Sequence, residues 1–329
     1  MKKNRDRKWV SMPVTLIVVM AIPLLIRNNT YQLNIFLMIC GYVVLANGLN
    51  ILMGYSGQLS LGHAAFYGIG AYVCSVLRRD CNVPFLVGMI AAIALCVLVG
   101  LLFGLPACRQ KGIFLALITA GFNTVINLIL INWKSVTNGS AGLSNIPKLS
   151  FGGGQIGKLT YCYIYLGIVV IVMLLTYWVI RSKIGRALIA VRESEVAAEA
   201  MGINVSLYKC MAFALSAALA GIAGCMYSTY AGYIDPTSFT SNFSITVMAM
   251  VIIGGMGHLF GGVIGAVFVG VCLELLRSFA DYQQLVYGLL MIIVVRFMPD
   301  GLSSIFGLGR RAFATLAARN GRQEGGKSV

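Results

Sequence analysis

Ten apolar stretches follow one another along this 329-residue chain, at 10–26, 35–53, 61–77, 84–105, 112–133, 161–180, 210–231, 243–257, 262–276 and 285–298. Charge enters them only at Glu274 and Arg296. A hydrocarbon core of about 30 Å takes roughly 20 helical residues to cross. In lipid, only helices and closed barrels satisfy every backbone group. Barrel strands would alternate apolar and polar residues; these runs do not alternate, so helices are expected. Composition agrees. Charged residues make up 11% and hydrophobic ones 59%, against about 25% charged in an ordinary soluble domain. Such a chain has too little polar surface for water and too much apolar surface for disorder. The expected fold is an all-α polytopic membrane protein with about ten spans or partial spans.

The formal net charge of +15 is unevenly spread. Lys2, Lys3, Arg5, Arg7 and Lys8 form one cluster. Arg181, Lys183, Arg186, Arg192 and Lys209 form a second, and Arg310, Arg311, Arg319, Arg322 and Lys327 a third. An even span count puts all three on one face, as the positive-inside rule requires of a cytoplasmic side. Arg109 and Lys111 fall on that side too, whereas Arg78 and Arg79 fall outside, beside Asp80. This arrangement argues against nucleic acid as a partner. The expected organisation is a basic cytoplasmic N-terminus over 1–9, a transmembrane domain over 10–300 and a basic cytoplasmic tail over 301–329. An external loop covers 134–160 and a cytoplasmic loop 181–209. The first apolar run lacks a small-residue cleavage pattern and is read as a retained span.

Two glycine-rich stretches shorten neighbouring spans. One contains Gly54, Tyr55, Ser56, Gly57, Gln58, Ser60, Gly62 and His63; the other contains Gly254, Gly255, Gly257, His258, Gly261 and Gly262. Glycine disfavours continuous helix, and irregular backbone at membrane depth survives only against protein or a water-filled cavity. Both are therefore expected to be helix breaks facing a solute route. Gly57-x-Leu59-x-x-Gly62 is matched by Gly257-x-Leu259-x-x-Gly262, the pattern of a possible internal repeat.

Other polar residues say less. Asn47 with Asn50, and Asn123 with Asn127, share helix faces, either lining a path or joining helices. The nine cysteines show no C-x-x-C pair and read as packing residues. No metal site, catalytic constellation or Walker A pattern is present, so no catalytic residue and no cofactor are expected in this chain. No carboxylate occupies a span centre, which counts against a stand-alone ion-coupled carrier.

The 181–209 loop is rich in helix formers and should be helical from about 190 to 201. Arg192, Glu195 and Glu199 would share one stripe and Ser194, Ala197, Ala198 and Met201 another, with Gly202 as a stop. A charged edge beside small residues suits a helix that docks into a partner's cleft.

The ordered run Gly54-Tyr55-Ser56-Gly57-Gln58-Leu59-Ser60-Leu61-Gly62-His63-Ala64-Ala65-Phe66 resembles a signature of the permease subunits of branched-chain amino-acid ABC transporters. Thr137-Asn138-Gly139 with Gly142-Leu143 and Ile146-Pro147 is similar to the family, as are Gly185-Arg186 through Met201-Gly202-Ile203 and Gly254-Gly255-Met256-Gly257 with Gly261-Gly262. The resemblance runs over roughly 35–300 and is closest to the LivM-type subunit. It implies a bacterial inner-membrane permease that pairs with a second related permease chain. It further implies two cytoplasmic ATPases, which hold ATP and Mg, and an external or periplasmic solute-binding protein. Arg186, Arg192, Glu195, Ala198, Glu199 and Gly202 then fall in the coupling segment. The usual ending of that segment is absent here. Leucine, isoleucine and valine are the implied solutes; permeases for urea and short amides share these signatures.

Overall fold

The computed structural model describes residues 20, 23–107, 110, 112–151, 154–277 and scattered residues between 282 and 302. The expected spans at 10–26 and 285–298, most of both terminal segments, and Arg109 and Lys111 lie wholly or mostly outside that set. All eight spans expected between 35 and 276 are helices. They are α1 (Thr30–Leu49), α2 (His63–Asp80), α3 (Phe85–Ala107), α4 (Ile113–Asn132), α5 (Lys158–Arg181), α8 (Val205–Ala231), α9 (Ser241–Gly254) and α10 (Gly261–Leu275). Two shorter helices, α6 (Lys183–Glu193) and α7 (Glu195–Ala200), lie between α5 and α8. A π-helical turn, Asn50–Tyr55, extends α1 without a break in direction. The only strands among the described residues are a ribbon that pairs Ser150–Phe151 with Gly154–Gln155.

Several helices begin where a side chain satisfies one of their first N–H groups. Asn29 caps α1 by accepting from Tyr31 N at 3.0 Å, Ser182 caps α6 from Ile184 N at 3.1 Å, and Asn204 caps α8 from Leu207 N at 3.1 Å. Inside the bundle, α1 and α8 are buried along most of their length, whereas α3, α4 and α5 have most of theirs exposed or half-buried. That division places α1, α2 and α8 at the centre and leaves the apolar faces of the others for lipid or another chain.

Glycine sets how closely the central helices approach. A Cβ on Gly70 would lie 2.4 Å from the Gly221 carbonyl oxygen, and one on Gly224 would lie 2.1 Å from that of Tyr67. The backbones of α2 and α8 therefore touch, as small residues allow between membrane helices. Gly100 and Gly104 bring α3 onto Ala217 and Phe213 of α8, and Gly265 brings α10 onto the Met250 carbonyl of α9. The cysteines at 40, 74, 96, 162, 210 and 225 are buried, in keeping with their reading as packing residues.

Each end of the bundle holds together through its own loops. At the end away from α6 and α7, Leu143 and Ile234 exchange two backbone hydrogen bonds, of 2.9 and 3.0 Å. Arg78, the apparent exception to the charge rule, is 5% exposed there. It donates to Thr229 Oγ1 at 3.2 Å and the Lys148 carbonyl at 3.3 Å, with its guanidinium 5.6 Å from the Phe85 ring centre. It is a structural cross-link from α2 to α8 and the 143–151 segment, and it sits in the last turn of α2, where cations are favoured. Arg79 pairs with Asp80 at 2.7 Å.

Two helices start deep inside the bundle. His63, the first residue of α2, contacts Ser216, three turns into α8 and about 16 Å from its start. The start of α9 is met by Asn123, about 15 Å into α4, through the Phe239 carbonyl and Ser241. The segments 56–62 and 232–240 thus run from opposite ends to roughly half the depth of the bundle. There the first turns of α2 and α9 meet: Ala64 N donates to Ser244 Oγ at 3.0 Å.

Candidate functional site

Both glycine stretches interrupt helices, as expected. The first leaves the π-turn at Ser56, passes Gly57 at φ +72° and restarts at His63; the second leaves α9 at Gly254, passes Gly255 and Gly257 at φ +114° and +74°, and restarts at Gly261. The positive φ values at Gly57 and Gly257, equivalent positions of the repeated pattern, are the conformations a side chain opposes. The two breaks touch. The side chain of Asn50 donates to the His258 carbonyl at 2.8 Å and accepts from Gly257 N at 2.9 Å. A Cβ on Gly54 would lie 2.4 Å from Gly257 N.

The polar side chains of the first break bind the protein itself. Ser56 Oγ donates to the Leu52 carbonyl at 2.6 Å; Gln58 donates to Ser56 Oγ at 2.9 Å and the Lys209 carbonyl at 3.3 Å; Ser60 Oγ accepts from Gly62 N at 3.3 Å. Tyr55 is buried beside them, and Leu61 N donates to Thr119 Oγ1 at 2.9 Å. These contacts hold the irregular backbone at depth, where each unpaired group would cost several kcal/mol, of order 2–7. His258 is exposed on the second break.

The segment between α5 and α8 differs from the single helix expected over 190–201. Ser194 is extended, with φ −161° and ψ 113°, and its hydroxyl accepts from Ala197 N at 3.3 Å. That N-cap divides the segment into α6 and α7, because serine competes for the backbone it would otherwise leave to the helix. The expected stripes therefore do not form one face. Arg192, at the end of α6, donates from Nη1 to the Gly54 carbonyl, its Cγ lies 3.3 Å from where a Gly57 Cβ would stand, and Nη1 lies 2.6 Å from one on Gly257. One arginine thus touches both breaks. Glu195 pairs with Lys209, whose side chain is 4% exposed. Ala198 is 3% exposed and packs with Val191, Val205 and Ile203. It faces this chain's own core and is not offered outward; the larger Val196 and Met201 are, at 75% and 82% exposed. Glu199 lies on the exposed side. Gly202 ends α7 at φ +79°, with Gly202 N donating to the Glu199 carbonyl at 2.9 Å. Arg186 donates to the Arg181 carbonyl at 3.1 Å.

Thr137, Asn138 and Gly139 build a turn at the opposite end. Thr137 Oγ1 donates to the Leu130 carbonyl at 2.7 Å, Asn138 and Gly139 take φ +61° and +62°, and the Asn138 side chain donates to the Gly142 carbonyl at 3.0 Å. These residues shape the turn that follows α4. Of the paired asparagines, Asn50, Asn123 and Asn127 join elements, the last by donating to the Pro236 carbonyl at 2.7 Å. Asn50, Lys209, Ser216 and Ser244 were not singled out as site residues from sequence. Asn50 carried a usable signal, an amide paired with Asn47 in an apolar run one turn before a glycine stretch.

Paired broken helices, gripped at one end by a single loop within a bundle of apolar helices, fit a multi-pass membrane protein. The sequence matches the family model described as the permease component of branched-chain amino acid transport systems over residues 31–295. The chain belongs to that family. It is 33% identical to the high-affinity branched-chain amino acid permease LivM of Salmonella typhimurium and to that of Escherichia coli, over 87% of this chain and 73% of each relative. It is 26% identical to LivH of Salmonella typhimurium, over 79% of this chain and 90% of the relative. No solved structure matches it.

Proposed function

We propose that this chain is one of two pore-forming permease subunits of an ATP-driven importer for leucine, isoleucine and valine in the bacterial cytoplasmic membrane. A related chain of the LivH kind completes the pore. ATP and Mg are held by two cytoplasmic ATPase subunits, and a binding protein outside delivers the amino acid. Both termini and the α6–α7 segment are cytoplasmic.

The observation that carries this reading is Arg192. It joins an exposed cytoplasmic segment to the ends of both helix breaks. Movement of that segment by an ATPase therefore reaches the membrane elements through one guanidinium, a charge-assisted contact stronger than a neutral one. Val196, Glu199 and Met201 form the face turned to the ATPase. The solute route passes beside the breaks, and their glycines let backbone approach a zwitterion closely.

The test is reconstitution in proteoliposomes with the partner permease, the ATPases and the binding protein. Leucine uptake should require ATP. Uptake that persists with an ATPase unable to hydrolyse ATP would overturn the reading in favour of a secondary carrier.

A further inference from the structure

The depth at which α2 and α9 begin has a consequence for the solute. Both are well-formed helices, of 18 and 14 residues. Each presents its N-terminus, the positive end of its dipole, at about half the depth of the bundle. Neither has a side-chain cap: Gly62 and Thr240 precede them without accepting a hydrogen bond from the first turn. Ser244 Oγ accepts from Ala64 N and so sits between the two ends. No acidic side chain is paired with either end among the described residues.

Two buried side chains beside these ends keep polar atoms without partners. Asn123 is 1% exposed; its amide nitrogen reaches the Phe239 carbonyl and Ser241 Oγ at the start of α9, and its Oδ1 is unpaired. His63 is 1% exposed; Nε2 meets Ser216 Oγ at 3.3 Å and Nδ1 is unpaired. In the tautomer where Ser216 donates to Nε2, the neutral ring carries its proton on Nδ1, which is then a donor. A buried polar atom without a partner is uncommon and costly. Two of them, at converging helix N-termini, mark a place that something else completes. Asn242 is exposed at this depth, where a polar side chain belongs beside water or protein and not lipid. Above the ends, Tyr67 stacks on Phe243 with ring centres 5.3 Å apart and meets Phe239 at 5.4 Å and Tyr227 at 5.5 Å.

We infer that the junction of α2 and α9 is the solute site at half depth. The transported α-carboxylate binds the two helix N-termini and His63 Nδ1, the ammonium binds Asn123 Oδ1, and the aliphatic side chain rests on the Tyr67–Phe243 cluster. The inference rests on the proposed amino-acid import and deepens it, because it makes the permease itself a reader of a zwitterion. Urea and neutral amides carry no carboxylate to meet the two N-termini.

The experiment uses the reconstituted complex and leucine carrying a diazirine in its side chain, photolysed during turnover. Cross-links are expected in 63–67 and 239–243. A companion pair separates charge from bulk. Ser244→Asp places a resident carboxylate between the helix ends, and Ser244→Asn adds similar bulk without charge. S244D should lower leucine uptake about tenfold or more below S244N, by like-charge repulsion of the solute, while both still capture the ATPases. Cross-links confined to other segments, or equal uptake by the two variants, would overturn the site and leave leucine import standing. Failure of the wild-type complex to import leucine would remove the functional reading and the site together.

Discussion

At the scale of single residues, the central contacts are set by what is missing from the side chains. Gly224 and Gly70 let α2 and α8 meet backbone to backbone, and a methyl at 224 has no flexible neighbour to displace, since what it meets is the Tyr67 carbonyl. Gly224→Ala should therefore destabilise the bundle by about 1–3 kcal/mol through overpacking, seen as a lowered thermal midpoint in detergent. An unchanged midpoint would mean that the two helices part without loss. The G-x-x-x-G spacings at 100–104 and 261–265 both bring backbone segments together. The sequence could not single out Gly70, Gly221 and Gly224, because close approach depends on which faces meet across 150 residues of chain. Arg78 shows the same limit. Read alone it broke the charge rule, whereas in the fold it spends its donors on Thr229 and Lys148.

At the scale of elements, eight apolar runs were legible as helices because burial in lipid demands both length and hydropathy. The division of the 183–204 segment was not. Its composition favours helix throughout, and only the Ser194 side chain turning back on Ala197 N separates α6 from α7. The half-depth starts of α2 and α9 were hidden for a related reason: hydropathy records that a run is apolar, not how far into the bundle it begins. The division changes what two variants should do. Ala198 packs inside the segment, so Ala198→Leu should disturb α7 and weaken ATPase capture by an internal defect. Arg192 reaches the breaks from a position that leaves the outward face intact. Arg192→Gln should therefore keep ATPase co-purification while leucine uptake falls about tenfold, the equivalent of 1.4 kcal/mol. Loss of capture with R192Q would assign Arg192 to docking and not to transmission.

For the whole molecule, sidedness is the property on which the rest depends. Contacts sort the loops into two sets that do not mix: 54–62, 183–204 and 255–260 at one end, 80–84, 133–151 and the Leu143–Ile234 pair at the other. The proposed function puts the first set in the cytoplasm, the side that basic loops favour, and a single labelling experiment checks both the sorting and that placement. Cys81 is exposed at the second end, and Met201, just past α7, is 82% exposed. In intact cells a membrane-impermeant maleimide should modify Cys81 and spare Met201→Cys; in inverted vesicles the pattern should reverse, with the modified peptides identified by mass spectrometry. Labelling of both positions from one side would break the two-ended arrangement. Reversed labelling would keep the fold but place α6 and α7 away from ATP, and Arg192 would then have no ATPase to answer to.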